Sequence, residues 1–167
     1  MSKQQSKWIG IFVLTTLATA ANVISQMTKY WGKITNENNN TQSAHLGLWE
    51  ACMGNECFSL DNSEYSVSTS LWFIRFLTLL AALLVLIAWV LAIKPMTTQG
   101  SRGTCGKVRG LLIFAFLLHV AGLIWFAVDA QDADSVGYSY WIGWGAVLFT
   151  IIAFGVCMSM KTKGRIQ

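Results

Sequence analysis

The sequence is poor in charge, acidic residues and proline. Charged residues make up 12% of the 167 positions, whereas soluble domains carry roughly 25%. So few charges cannot cover the surface of an ordinary soluble enzyme. Apolar residues reach 54%, which excludes a disordered chain, because disorder requires low hydrophobicity and high charge. The composition therefore predicts that most of the chain is solvated by lipid.

Long apolar runs are the main feature of the chain. Four of them cover residues 8–27, 71–93, 111–128 and 138–160. Each is close to the roughly 20 residues that a helix needs to cross about 30 Å of hydrocarbon. The runs are continuous, whereas strands of a membrane barrel would alternate polar and apolar residues. The sequence predicts a mainly α membrane protein with four spans in a single domain, residues 1–167.

The distribution of charge predicts the orientation. Acidic residues are missing from both termini and from the connection at residues 94–110. These segments carry nine cations: Lys3, Lys7, Lys94, Arg102, Lys107, Arg109, Lys161, Lys163 and Arg165. By the positive-inside rule, both termini and this connection are cytoplasmic, and the connections at residues 28–70 and 129–137 are extracellular. A cleaved signal peptide is an alternative interpretation of the first run, which is longer than a typical signal core.

The connection at residues 28–70 contains signals of ordered structure. Cys52 and Cys57 flank a Gly54-Asn55 turn signal. In an oxidising extracellular compartment a disulfide between them is favoured over free thiols or a metal site, for which the spacing is wrong. The flanking residues 45–52 and 57–60 are predicted to form two short strands. Asn39 begins an Asn-Asn-Thr sequon and is a candidate glycosylation site.

These residues carry a resemblance to a known family. The pattern consists of a tryptophan after the first span, then Gly-Leu-Trp-x-x-Cys, a second cysteine and an arginine in the second span: Trp31, Gly47, Leu48, Trp49, Cys52, Cys57 and Arg75. It resembles the claudin / peripheral myelin protein / epithelial membrane protein superfamily. The match is closest to the lens fibre membrane intrinsic protein branch, on the stretches AHLGLWEACMGNECFSLDNSEY and SYWIGWGAVL.

The resemblance implies a left-handed four-helix bundle with a small extracellular antiparallel sheet. It also implies a junction, adhesion or barrier protein, or an auxiliary channel subunit, without catalysis. The cysteine spacing is tighter than in typical claudins, and the chain ends Gly-Arg-Ile-Gln instead of Tyr-Val. These departures weaken the case for a paracellular pore and for scaffold binding.

Polar residues inside the spans have structural and functional interpretations. We expect Arg75 to bond loop carbonyls or a carboxylate and so to tie the sheet to the bundle, with snorkelling as the alternative. His119 is expected to be a neutral imidazole bonded across a helix interface rather than part of a proton relay. Asn22, Thr15, Thr16 and Thr19 are expected to bond between helices. Cys105, in the basic connection, is a palmitoylation candidate or a plain thiol.

The predicted function is that of a structural membrane protein of cell–cell contacts in the plasma membrane. The predicted partners are membrane lipid and either further copies or other membrane proteins, with no nucleic acid, small-molecule substrate, cofactor or metal. An auxiliary subunit of an ion channel or receptor is the alternative. A transporter is disfavoured because the sequence shows no internal repeat and has one proline. No nucleophile–base set or phosphate loop supports an enzyme.

Overall fold

A computed structural model describes residues 3–35, 43–54, 56–60, 69–97, 102–129 and 135–160. The elements in chain order are α1 (Lys3–Met27), β1 (Gly32–Thr35), β2 (Ser43–Leu46), β3 (Glu50–Met53), β4 (Glu56–Ser59), α2 (Thr69–Thr97), α3 (Arg102–Asp129), β5 (Ser135–Val136) and α4 (Tyr138–Met158). Within these ranges, four helices are long and apolar enough to cross a membrane. The chain therefore has four long apolar helices and a small antiparallel sheet, as its sequence predicts.

Some of the helix contacts use small residues, and many large apolar side chains lie on the outside of the bundle. Ala18, Val85 and Ala115 form the middle of the core. A Cβ atom added at Gly122 of α3 would lie 3.0 Å from a methyl group of α2, so only glycine permits this approach without a shift. Large apolar side chains such as Phe114 and Leu117 lie exposed on the outside of the bundle. This inside-small, outside-apolar arrangement suits a bundle whose solvent is lipid.

Two helices continue beyond the apolar spans. The predicted connection at residues 94–110 is helical over its first residues, up to Thr97, and again from Arg102 onwards. Hydropathy marks where a helix leaves lipid, but it does not mark where the helix ends, because lysine and arginine are good helix formers in water.

The sheet lies at one end of the bundle, hereafter the sheet end. Its strand order is β4-β3-β2-β1-β5, and every neighbouring pair is antiparallel. β1 follows α1 and β5 precedes α4, so both connections at this end contribute to one sheet.

One strand prediction is wrong. Residues 45–52 are not a single strand but parts of β2 and β3, which pair with each other. The backbone turns between them, and the Gly47 N–H donates to the Glu50 carbonyl at 2.8 Å. Gly47 permits this turn because an added Cβ would lie 2.7 Å from the Lys29 Cα and 2.9 Å from the Glu50 carbonyl oxygen.

Candidate functional site

Trp31 anchors the sheet to the helices. It follows α1 by four residues, its side chain is fully buried, and its indole N–H donates to the Ser25 carbonyl at 2.6 Å. Its ring meets the edges of Phe126 in α3 and Tyr140 in α4, with centroids 5.0 and 6.3 Å away. Its backbone N–H donates to Leu46 of β2 at 2.9 Å. One residue therefore joins α1, α3, α4 and the sheet.

Arg75 connects the turn between β2 and β3 to α2. Its side chain is 1% exposed, and its Nε donates to the carbonyl oxygen of Leu48 at 2.6 Å. The guanidinium carbon also lies 4.6 Å from the ring centroid of Trp49 and 5.0 Å from that of Trp72, within the range of cation–π attraction. The expected hydrogen bond from Arg75 to a loop carbonyl is therefore present.

Cys52 and Cys57 form a disulfide that joins β3 and β4. They are directly opposite each other in the strand register, on either side of Gly54, whose φ of 61° lies in the left-handed region that favours glycine. Glu50 lies close enough to both sulfurs for the three to resemble a metal-binding group. Because both sulfurs are used in the disulfide, neither can serve as a thiolate ligand.

The other side of β2, β3 and β4 is apolar and exposed. The register places five apolar residues on the same side, opposite to the disulfide: Ala44, Leu46, Ala51, Met53 and Phe58. We call this set the apolar sheet face. The exposed Glu56 of β4 lies on this side too, opposite Met53, at the edge of the sheet. Met53 is 61% exposed and Phe58 45% exposed, and both line a shallow groove of about 200 Å³. In most sheets the apolar side is turned towards the core.

This arrangement matches known proteins over nearly the whole chain. The sequence model of the PMP-22/EMP/MP20/Claudin family matches residues 4–158. The chain belongs to this family. Human Claudin domain-containing protein 2 is 26% identical over 159 residues, which cover 94% of this chain and 87% of the relative. The chain is therefore a multi-pass membrane protein of the claudin superfamily; the lens fibre branch stays a prediction.

The family motif residues meet at the sheet end. Leu48 is fully buried and shares a core cluster with Trp31. Trp49 packs against the same cluster and lies over the Arg75 guanidinium. Asn39, the glycosylation candidate, lies outside the described residues.

Other predicted polar residues lie deeper in the bundle. His119 of α3 is buried, and its Nε2 is 3.8 Å from the position that a Cβ on Gly143 of α4 would occupy. This places the imidazole at the interface of α3 and α4, and its cross-helix bond stays a prediction. Cys105 is also buried, 3.3 Å from the Cys157 sulfur, far along the chain from the motif residues.

The expectation of interhelical bonds in α1 is correct for Thr16 and wrong for its neighbours. The Thr16 hydroxyl accepts a bond from the Trp89 indole of α2 at 2.8 Å. Thr15 and Thr19 instead donate to carbonyls of their own helix, which satisfies a hydroxyl without a neighbouring helix. The amide of Asn22 is buried, and neither of its polar atoms has a hydrogen-bond partner among the residues that the structure describes.

Two contacts at the sheet end and the opposite end have no sequence signal. β5 pairs with β1, although two residues are too short for a strand pattern. Lys7 donates to the Ser159 carbonyl at 2.7 Å and to its hydroxyl at 3.0 Å, which places a cation at the C-terminal end of α4. A separation of 152 positions hides this pairing from any local pattern.

Proposed function

We propose that this chain is a structural protein of cell–cell contacts in the plasma membrane, and that it associates through the apolar sheet face. The observation that carries the proposal is the exposure of Met53 and Phe58 on the side of the sheet that lacks the disulfide. Contiguous exposed apolar side chains outside the membrane-spanning segments are typical of interaction surfaces.

The rigidity of the sheet supports this role. Trp31 and Arg75 hold the start of β1 and the turn between β2 and β3 against the helices through buried contacts, and the disulfide joins β4 to β3. A surface whose backbone is held in place loses little conformational freedom on binding, so less of the interaction energy is lost to ordering. Weak contacts between single copies suffice where many copies are arrayed in two membranes, because multivalency raises the effective concentration.

The charge distribution and the disulfide support an extracellular sheet end. The described segments at the opposite end carry Lys3, Lys7, Lys94 and Lys107 and no carboxylate. Cations in short cytoplasmic segments orient membrane proteins. A disulfide between Cys52 and Cys57 is suited to an oxidising compartment. Both termini are accordingly cytoplasmic in this proposal.

A cell-mixing experiment tests the proposal. Cells that express the chain with a fluorescent tag are mixed with cells that express it with a second tag. We expect both tags to concentrate where two expressing cells touch. The double variant Met53→Ser and Phe58→Ser should lose this enrichment while it still reaches the surface. Lys33→Gln is the matched control, because Lys33 is exposed on the same sheet and lies opposite His45, on the other side.

Two outcomes would contradict the proposal. Even distribution of the wild-type chain over contacting membranes would count against a contact protein. Equal enrichment of the double variant would count against the apolar sheet face. Purification in mild detergent tests the alternative function, an auxiliary subunit of a channel or receptor. Such a subunit should co-purify with a pore-forming or receptor chain in fixed stoichiometry.

A further inference from the structure

The end of the bundle opposite the sheet holds a pair of cysteine thiols. Cys105 lies in the second turn of α3 and Cys157 near the end of α4, and their sulfur atoms are 3.3 Å apart. The Cys157 thiol lies 3.5 Å from the Cys105 carbonyl oxygen, and the Cys105 thiol lies 3.8 Å from the Cys157 carbonyl oxygen. We propose that Cys105 and Cys157 form a reversible disulfide that links α3 to α4, oxidised by a small peroxide.

The geometry requires little movement of the helices. Each sulfur lies within 3.8 Å of the carbonyl oxygen of the opposite residue, so both side chains already point across the interface between α3 and α4. Closing the sulfurs from 3.3 Å to a bond of about 2.0 Å moves each by about 0.6 Å. Side-chain rotation can supply a shift of this size.

The surroundings of the pair select the oxidant. Cys105 is 8% exposed and Cys157 is fully buried, and the apolar side chains of Trp8, Val108 and Ala153 belong to the same core cluster. Bulky or charged reagents are excluded from such a site. Hydrogen peroxide is small and uncharged, so it is the oxidant that suits this site, and Cys105 is the less deeply buried of the two residues.

The oxidation balances in two steps. The Cys105 sulfur attacks one peroxide oxygen, the O–O bond breaks, and a sulfenic acid and one water are formed. The Cys157 sulfur then attacks the Cys105 sulfur, the S–O bond breaks, and the hydroxyl leaves as a second water with the thiol proton. The two thiols lose two electrons and two protons, and one peroxide is reduced to two waters. A thiol reductant of the cytosol reverses the bond by exchange.

The bond would join helices that are otherwise held there by packing. Lys7 of α1 already bonds Ser159, two residues beyond Cys157. The disulfide would connect α3 to the same end of α4 covalently. It would also occupy the Cys105 sulfur and so exclude palmitoylation of that residue while the bond lasts.

Counting free thiols tests the proposal on the full-length chain in membranes. Membranes are treated with hydrogen peroxide or left untreated, then denatured without reductant and labelled with a polyethylene glycol maleimide, which shifts gel mobility for each free thiol. Untreated protein should show two labels, because Cys52 and Cys57 are already bonded. Peroxide should reduce the number of labels per chain to none, and the unlabelled protein should run at the size of a monomer. A reductant given after peroxide and before labelling should restore labelling.

Two variants distinguish a disulfide between Cys105 and Cys157 from the oxidation of unpaired thiols. Cys105→Ser removes the sulfur that first reacts with peroxide and leaves the fully buried Cys157 alone, so this variant should keep its one label after a peroxide dose that oxidises the wild type. Val156→Cys combined with Cys157→Ser retains two thiols but moves one to a half-buried position off the Cys105 side. At that dose it should keep the label of the displaced cysteine and fall to one label, not to none, because the oxidised Cys105 sulfur has no thiol opposite it to close the bond.

Four results would overturn the proposal. The wild type could retain both labels after peroxide, or it could lose them by forming covalent dimers. The single variant could lose its label as fast as the wild type, which would indicate oxidation without pairing. One label in untreated protein that becomes two after hydroxylamine would show that Cys105 is acylated instead.

Discussion

Replacing Arg75 with leucine isolates the contribution of the link between the sheet and α2. The variant removes the 2.6 Å hydrogen bond from Nε and leaves the buried Leu48 carbonyl without that donor. An unsatisfied buried acceptor costs about 1–3 kcal/mol. The lost attraction to the rings of Trp49 and Trp72 adds about 0.5–1 kcal/mol each.

The loss is partly offset because leucine carries no charge that has to be buried. We therefore expect Arg75→Leu to reduce the free energy of unfolding by about 2 kcal/mol, which lowers Tm by roughly 4–8 °C in a chain of this size. The Tm of Arg75→Lys should lie between the values of the wild type and of Arg75→Leu, because an ammonium group keeps the charge but lacks the planar geometry that stacks on the rings.

The assay is thermal unfolding of the purified chain in mild detergent, followed by tryptophan fluorescence, together with the fraction of protein at the cell surface. Phe76→Leu is the matched control, since Phe76 is adjacent, 60% exposed and on the lipid-facing side of α2. Its Tm should equal that of the wild type. If Arg75→Leu also matched the wild type in Tm and surface fraction, the link would contribute nothing to stability.

Three further substitutions test separate contacts by the same melting assay. Gly47→Ala should lower the free energy of unfolding by roughly 1–3 kcal/mol, because its methyl would lie 2.7 Å from the Lys29 Cα; Gly10→Ala, with nothing within 4 Å, is its control. Trp31→Phe should cost about 1–3 kcal/mol, since it keeps the ring but loses the 2.6 Å bond to α1. Thr16→Val should cost only about 0.6 kcal/mol, the average for an interhelical bond in a membrane bundle. An unchanged Tm for Gly47→Ala, or a larger loss for Thr16→Val than for Trp31→Phe, would contradict this ranking.

The helices could be predicted because lipid imposes a simple rule on sequence. Each helix must remain apolar for the thickness of the hydrocarbon, and the runs in α2 and α4 are long enough to be recognised singly. The disulfide was also predictable, because Cys52 and Cys57 flank a glycine turn within six positions. These signals are local in sequence.

Contacts between distant parts of the chain left no such signal. β1 is a short strand that pairs with both β2 and β5, and β5 is a two-residue strand that pairs with β1. The sulfur atoms of Cys105 and Cys157 meet although 52 positions separate the residues. The division of β2 from β3 depended on Gly47, whose turn is dictated by the approach of Lys29, a residue of another segment. Tertiary packing decided each of these features.

The pairing of β5 with β1 has a consequence for building chimaeras. Gly137, next to β5, donates its N–H to the Trp31 carbonyl at 2.8 Å, and an added Cβ there would collide with the backbone of Tyr30. The long connection between α1 and α2 and the short connection between α3 and α4 therefore contribute strands to the same sheet. Exchanging only one of these connections for that of a relative would disturb the pairing of β1 with β5, whereas exchanging both together should preserve it.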